Sequence, residues 1–463
     1  ISWKLKKHFN TQLPEDLPEE ERWLELIPQD RRGALQLGFF ELNDLPASEI
    51  YNLMDATWFV DRTGVIEVTN TPQTVVFTLN RFGLQLTKTL TFYPGQYSFD
   101  LGVDLQGISS DEWEYYEITW HPGMNSTEKN YKDDTNFFAG ISNVGNRINT
   151  KMLRKIQKQE KIVIGDQHRA QDEVIWSGLK TKYFTAVVIP EEPGVEVRFG
   201  GSKMNAHYID FELVVPAYVS TFRVYVGPID FDGLKAEGHQ LEKLLDLGKY
   251  IGFISRPMLE LFLFLHQFIP NYGIIIILFS IMMKTVFYPF NKSSYTSMRK
   301  MQEIQPKMKE LQEKYKNNPQ QLQKEMMELY KEHGVNPLSG CLPMLPQIPI
   351  FFALFRVLRA TVELRSAGFI PIWLEDLSQP DPFYALPIMM GITMFIQQKT
   401  SPQSAAAATN PQQKMMMYIL PFVMTFMFLN FQAGLVLYWF TNNILTVIQQ
   451  YMITHSHTKS QQA

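Results

Sequence analysis

The sequence predicts an antiparallel β-sandwich domain followed by an α-helical membrane domain, and three observations carry that prediction. First, the 463-residue chain is two compositions joined end to end. Up to Gln240 it holds 24 Lys/Arg against 34 Asp/Glu; beyond Gln240 it holds 19 against 13, together with 18 of the 22 methionines. The mean hydropathy of −0.15 averages over that divide. Second, the front half alternates apolar and polar residues with period two, the mark of half-buried strands. Third, the back half holds five apolar runs of 16 to 21 residues, more than the core of a soluble domain requires. An acidic front and a basic, Met-rich back exclude one uniform globule, a disordered chain and a chain built mainly for nucleic acid. The single cysteine, Cys341, excludes an internal disulfide and a multi-cysteine metal site. Because the chain opens at Ile1 without Met, a longer protein with a segment ahead of Ile1 is expected.

Residues 1–240 read as the β domain. Strands are expected over 74–79, 84–93, 97–105, 181–190, 208–215 and 221–226, with Pro94-Gly95, Pro193-Gly194 and Gly200-Gly201 as turns. The basic stretch 149–162 fits a helix or a loop, and the acidic, proline-containing 10–25 reads as a surface insertion. His8, His121, His168 and His207 stand at no metal-ligand spacing. The carboxylates form no recognisable catalytic pair. This half therefore reads as a binding or spacer domain.

Residues 241–270 read as a linker and an interfacial helix. Ser255 can cap it, with Pro257 in its first turn. The run 257–269 is too short to span a bilayer and fits an amphipathic helix lying on the outer leaflet.

Residues 271–453 read as the membrane domain, with spans at about 271–291, 342–362, 383–398, 415–431 and 434–453. The third and fourth are short for a hydrocarbon core of ~30 Å, which calls for local bilayer thinning. Between the first two spans, residues 293–336 read as a helical hairpin. Met301, Ile304, Met308, Leu311 and Tyr315 form one stripe, Asn317-Asn318-Pro319 the turn, and Leu322, Met326, Leu329 and Tyr330 the returning stripe. Nine Lys/Arg between Lys292 and Lys331, and Lys399 and Lys414 further on, assign these two loops to the cytoplasm. The β domain is then extracytoplasmic, and the tail 454–463 is cytoplasmic.

Several polar residues do not belong in lipid. Lys284 lies inside the first span with Ser280 one turn earlier; Gln347 lies in the second; Thr441, Asn442 and Asn443 lie in the fifth, followed by Gln449 and Gln450. Polar groups at that depth are tolerated where they line protein interior or a wet cavity. Two readings stand: interhelical hydrogen bonding with a snorkelling lysine, or a hydrated groove with one positive charge. Arg356 and Arg359 read as snorkelling to the outer interface, Arg359 within reach of Glu363 at helical spacing.

These motifs resemble the YidC/Oxa/Alb membrane protein insertase family, in its Gram-negative bacterial branch. The likeness rests on Asn271-Tyr272-Gly273 and the isoleucines after it, a basic residue before Tyr288-Pro289, and Tyr295 to Met298. Gln305-Pro306, Leu329-Tyr330-Lys331, Val335-Asn336-Pro337 with Cys341, Trp373 with Asp376-Leu377-Ser378, Gly434 to Tyr438, and Asn442 to Gln450 continue it. The front half is similar to the periplasmic domain of that family through Trp176 to Phe184 and Tyr225 to Pro228. The resemblance implies a periplasmic β-supersandwich followed by five transmembrane helices, an interfacial helix and a cytoplasmic hairpin, with the family's N-terminal helix and first strands absent.

It also implies an insertase and chaperone of the bacterial inner membrane, working alone or with the Sec translocon. Its groove would be positively charged and open to cytoplasm and lipid. Where the family usually carries Arg, this chain carries Lys284, which keeps the charge and loses the planar fork. The groove residues implied are Lys284, Ser280, Gln347, Thr441, Asn442, Tyr438 and Trp439; the last two fit an interfacial aromatic belt equally well. Newly made membrane proteins, lipids, the Sec translocon and the ribosome are the implied partners, with no cofactor, no metal, no specific nucleic acid and no catalytic residue. A small-molecule transporter or channel is the alternative, which would show an internal repeat. A carbohydrate enzyme acting through the β domain would show paired histidines beside a carboxylate.

Overall fold

The protein is described from a computed structural model over residues 4–9, 12, 17–28, 33–39, 56–81, 84–106, 114–159, 161–165, 173–201, 209–248, 250–335, 345–400 and 411–462. His168, His207, Cys341 and the stretch from Asn336 to Met344 lie outside these residues. The chain divides into two compact units, Ile1–Leu244 and Leu245–Ala463.

The first unit is a sandwich of two antiparallel sheets. In chain order its strands are β1 (Lys4–Phe9), β2 (Trp23–Glu25), β3 (Ala34–Phe39), β4 (Phe59–Val60), β5 (Gln73–Arg81), β6 (Leu84–Phe92), β7 (Ser98–Gln106) and β8 (Tyr115–Trp120). Then follow β9 (Ala139–Val144), β10 (Arg147–Met152), β11 (Lys161–Ile164), β12 (Val174–Lys180), β13 (Phe184–Pro190), β14 (Glu196–Gly200), β15 (Asp210–Pro216) and β16 (Thr221–Pro228). Nine strands pair in the order β10-β9-β12-β13-β16-β7-β6-β5-β4 and five in the order β11-β14-β15-β8-β3, while β1 and β2 form a separate pair. The stretch 149–162, left open between helix and loop, holds the end of β10, the helix Leu153–Gln159 and the start of β11.

Leu86 and Leu90 of β6, Ile118 and Trp120 of β8, Phe211 and Leu213 of β15 are all buried in the core, and β9 and β13 are buried at every residue. Trp120 stacks on Phe211 across β8 and β15, with centroids 6.3 Å apart. Gly140 admits the ring of Phe199, which lies where a Cβ would stand. Lys88 shares the inward row of Leu86 and Leu90. Its Nζ donates to the Leu35 carbonyl at 3.2 Å and lies 4.1 Å over the Trp58 ring; burial pushes the ammonium down to about 8.

The second unit is helical: α1 (Gly252–His266), α2 (Tyr272–Val286), α3 (Tyr288–Glu303), α4 (Gln305–Lys314), α5 (Pro319–Glu332), α6 (Gln347–Ala360), α7 (Ala385–Thr400), α8 (Pro411–Phe428) and α9 (Ala433–Gln462). Helix α9 packs along α2 and α7, α8 lies on α7, and α1 lies on α6. Three expectations are corrected. The apolar run 271–291 is not one straight helix: it bends by 63° at Phe287, where Pro289 brings no N–H for the Thr285 carbonyl. The first limb of the hairpin is likewise broken, at Ile304, ahead of Pro306. Ser255 is not a cap: α1 begins at Gly252, and the Ser255 hydroxyl donates within the helix to the Ile251 carbonyl at 3.2 Å. In addition, α6 ends at Ala360, so Glu363 does not stand on the turn after Arg359.

Despite the break, the two stripes of the hairpin meet. Ile304, Met308, Leu329 and Val335 form a buried cluster, with Met301, Leu311, Met326 and Tyr330 packed against it. Asn318 caps α5 through Oδ1, which accepts from the Gln321 N–H at 3.2 Å, and Gly334 at φ +59° ends the return. Among the described residues no single helix is long and apolar enough to cross a membrane; α2 and α3 are so only together, across their bend.

The outward face of the five-stranded sheet concentrates charge. Glu117 of β8 lies 3.6 Å from Arg198, which also meets Glu212 at 3.8 Å; Lys161 bonds Glu212 at 2.8 Å, and His121 lies 3.5 Å from Asp210. Burial and the neighbouring Glu212 push the Glu117 carboxyl up to about 7, against the pull of Arg198, Lys161 and His121. The folded state thus keeps a proton that the unfolded chain releases near 4.5, so Glu117 makes stability fall as pH rises through 7. Replacing it by the neutral isostere removes that loss. In urea unfolding of the detergent-solubilised chain followed by tryptophan fluorescence, Glu117→Gln should gain about 1–2 kcal/mol more at pH 8 than at pH 5.

Candidate functional site

Each helix that contributes to the candidate site meets α9, and α9 is apolar at one end and polar at the other. Its first turns bury Leu435, Val436, Leu437 and Tyr438; its later turns bury Asn442, Asn443, Thr446, Gln449 and Gln450. The spacing of those five places them on one stripe of the helix. The side chains of Asn443, Thr446, Gln449 and Gln450 each find a partner on a neighbouring helix or on the backbone.

Lys284 sits in the last turn of α2 and donates from Nζ to Thr446 Oγ1 at 2.8 Å. The Thr446 hydroxyl donates in turn to the Asn442 carbonyl at 2.6 Å. One turn further along, Asn291 of α3 donates to Gln449 at 3.2 Å, and Thr400 of α7 donates to Gln450, also at 3.2 Å. Asn443 donates to the Met390 carbonyl of α7 at 3.3 Å. Among the described residues Lys284 forms no ion pair, and α2, α6, α7, α8 and α9 carry no Asp or Glu at all.

Of the expected residues, Lys284 enters this network by its side chain, and Asn442 enters it only through its main-chain carbonyl. It places the others differently. Ser280 is buried on α2, but its hydroxyl donates to the Ile276 carbonyl of its own helix at 2.8 Å. Gln347 opens α6, half-buried, and Thr441 is half-buried on α9. Tyr438 and Trp439 belong to the aromatic end of α9. Tyr438 lies 6.3 Å from Phe279, and Trp439 packs edge-on to Phe351 at 5.0 Å and against Phe428 at 5.4 Å. Thr446, Asn291 and Thr400 escaped the sequence reading. The i, i+4, i+8 spacing of Asn442, Thr446 and Gln450 would have revealed Thr446, which passes for an ordinary helix residue when read alone.

The outer surface of the unit reverses the usual arrangement. Phe422 and Phe426 of α8 are 75% and 71% exposed, and Ile274, Ile281 and Val286 of α2 and Ile388, Ile392 and Ile396 of α7 are exposed as well. A water-soluble domain does not leave a continuous apolar coat outside while burying amides within. Snorkelling does not account for Lys284, because its ammonium is bonded inward to α9. Arg356 differs: it reaches Asp246 at 3.2 Å. In the β unit, His121 faces Asp210 and no second histidine joins it among the described residues, so the paired-histidine site of a carbohydrate enzyme is not found there.

Two family models match, the YidC periplasmic domain over residues 2–261 and the 60Kd inner membrane protein over residues 264–461. A membrane protein insertase YidC of Geobacter sulfurreducens is 46% identical over 290 residues, 61% of this chain and 53% of the relative. Its namesake in Pelobacter propionicus is 37% identical over 437 residues, 87% of this chain and 76% of the relative. The chain thus spans about half the first relative and three-quarters of the second. An active YidC insertase crystal structure with the first transmembrane domain resolved aligns over 84% of this chain and 82% of its own, at 18% identity and a TM-score of 0.42, below the level from which a shared fold follows.

A cation half-buried among helices without a counter-ion costs stability. Lys284→Met should therefore stabilise the detergent-solubilised chain by about 1–3 kcal/mol and raise its thermal midpoint. A lysine that served packing alone would lower it on removal, and circular dichroism at 222 nm in a heating scan separates the two outcomes.

Proposed function

The chain belongs to the YidC family of inner-membrane proteins, and on that premise we propose that it is a membrane protein insertase whose working surface is the polar stripe of α9 with Lys284 at its head. The observation that carries the reading is one uncompensated cation, bonded inward, beside helices α2, α6, α7, α8 and α9 that hold no acid and on a unit whose outside is apolar. Such a site attracts carboxylates and repels cations. A client arrives as an apolar segment with a short hydrophilic tail. At an effective dielectric near 20, a carboxylate about 4 Å from Lys284 gains ~4 kcal/mol, comparable with the ~2.5–3.5 kcal/mol that an Asp costs at mid-bilayer. The client helix of ~20 apolar residues then partitions sideways into lipid, at roughly −0.3 to −0.6 kcal/mol per residue. The sum favours insertion for tails with one or two acids, with no nucleotide and no covalent step.

Helix lengths support a thinned bilayer around the unit. At 1.5 Å per residue, α6, α7 and α8 are about 21, 24 and 27 Å long, short of a ~30 Å core. In this reading the chain is multi-pass. The β unit lies in the periplasm, and the hairpin α4–α5 and the C-terminus lie in the cytoplasm, as the Lys/Arg of the loops favour. The Sec translocon and the ribosome are the partners such a position offers. Methionines in the helical unit suit walls that adapt to varied apolar clients.

The test uses the full chain in liposomes with a single-span client whose short tail carries two Asp, and reads protease protection of the tail. Wild type and Lys284→Arg should protect it, and Lys284→Ala should lose about tenfold or more, the equivalent of ~1.4 kcal/mol or above. Equal protection with all three would remove Lys284 from the mechanism.

A further inference from the structure

We infer that Thr446 is a positioning residue for the Lys284 ammonium, and that its hydroxyl replaces the geometric constraint that a lysine lacks. The inference rests on the charged-groove reading above. A lysine carries three donors on a rotatable tip at the end of four methylenes, whereas a guanidinium presents a fixed planar fork. On its own the tip would sample several rotamers, and its charge would not point anywhere in particular.

The geometry around Thr446 removes that freedom. The Asn442 carbonyl can only accept, so the proton of the Thr446 hydroxyl is committed to it at 2.6 Å. The Lys284 ammonium can only donate, so at 2.8 Å it must meet a lone pair of the same oxygen. The two bonds together fix the direction of both. Thr285, Thr361 and Thr425 make the same backward bond to the carbonyl four residues earlier, at 2.9, 2.7 and 2.8 Å. That bond alone is the ordinary habit of a helical threonine. Thr446 differs in what its other side holds: a cation from another helix. One N–H of Lys284 is thereby anchored on α9, and two remain to bind the carboxylate of a client tail.

Two consequences separate this role from packing. The first is charge selectivity. Loss of the hydroxyl should weaken translocation of an acidic tail and spare the same tail with Asn in place of Asp. The second is rescue: serine keeps the oxygen and drops only a methyl, so it should restore what valine loses.

The experiment compares wild type, Thr446→Val, Thr446→Ala, Thr446→Ser, Lys284→Ala and the Lys284→Ala/Thr446→Val double variant, each as the full chain in liposomes. The readout is protease protection of the Asp-tailed and Asn-tailed clients. Thr446→Val and Thr446→Ala should lower protection of the Asp tail about fivefold to tenfold, within the range of one ordinary hydrogen bond, and leave the Asn tail within about twofold. Thr446→Ser should stay within about twofold of wild type. The double variant should match Lys284→Ala, because a positioning residue has nothing left to position. If Lys284→Ala is impaired but Thr446→Val and Thr446→Ala lose both clients alike, or Thr446→Ser fails to rescue, Thr446 is a packing residue and the inference is overturned while the groove stands. If Lys284→Ala itself matches wild type, the groove reading falls and this inference falls with it.

Discussion

The helical unit depends on one constraint: a polar group that cannot reach water must find a partner inside the protein. Helix α9 is where the constraint is met. Its stripe from Asn442 to Gln450 hydrogen-bonds to α2, α3 and α7, so three helices are held in register by side chains that would be faults in a conventional core. Interhelical bonds of this kind are worth only ~0.6 kcal/mol each on average. Their weight lies in direction, since any rotation of α9 that turned Asn443 or Gln449 outward would leave an amide unpaired. The aromatic end of the same helix, from Tyr438 to Phe428 and Phe351, packs by shape and tolerates what the polar end does not.

The β unit answers to a different solvent and shows different economies. Water on the outward face of a strand such as β6 lets alternation sort its residues by parity, whereas β9 and β13 are buried on both rows. The exceptions are informative. Lys88 stands on an inward row and is accommodated because the β3 bulge at Leu35, with φ +57°, turns a carbonyl towards it and Trp58 offers a ring face. Glu117 stands on an outward row and is nonetheless covered, which is why its proton is held so far above the ordinary carboxylate range.

Legibility in the sequence followed these two regimes. Period two survives translation into letters, so strands such as β6 and β7 could be placed from alternation and turn dipeptides. The hairpin contacts of Ile304, Met308 and Leu329 were legible from helical spacing. What escaped were events set by a single proline. An apolar run such as 271–291 shows how much lipid-compatible chain there is and nothing of where the backbone turns, and Pro289 converts it into two helices at 63°. The site was half legible for a related reason. Lys284 and Asn442 are conspicuous among apolar neighbours, whereas Thr446 is ordinary in hydropathy and acquires its meaning only from an oxygen 2.8 Å from a cation on another helix.

The same arrangement explains why an uncompensated charge can persist in a bundle that would be more stable without it. A nearby Asp or Glu would offset the desolvation of Lys284 and would also occupy the donors that the proposed function assigns to a client. A hydroxyl is the smallest acceptor that holds the ammonium without neutralising it. With its own proton turned to the Asn442 carbonyl, it offers no donor that competes for an incoming carboxylate. On the proposed function, the absence of acids from α2, α6, α7, α8 and α9 is a requirement of the site and not a side effect of hydropathy. Binding a carboxylate would supply what the fold withholds, so the energy left unspent in the resting protein becomes the attraction felt by the client.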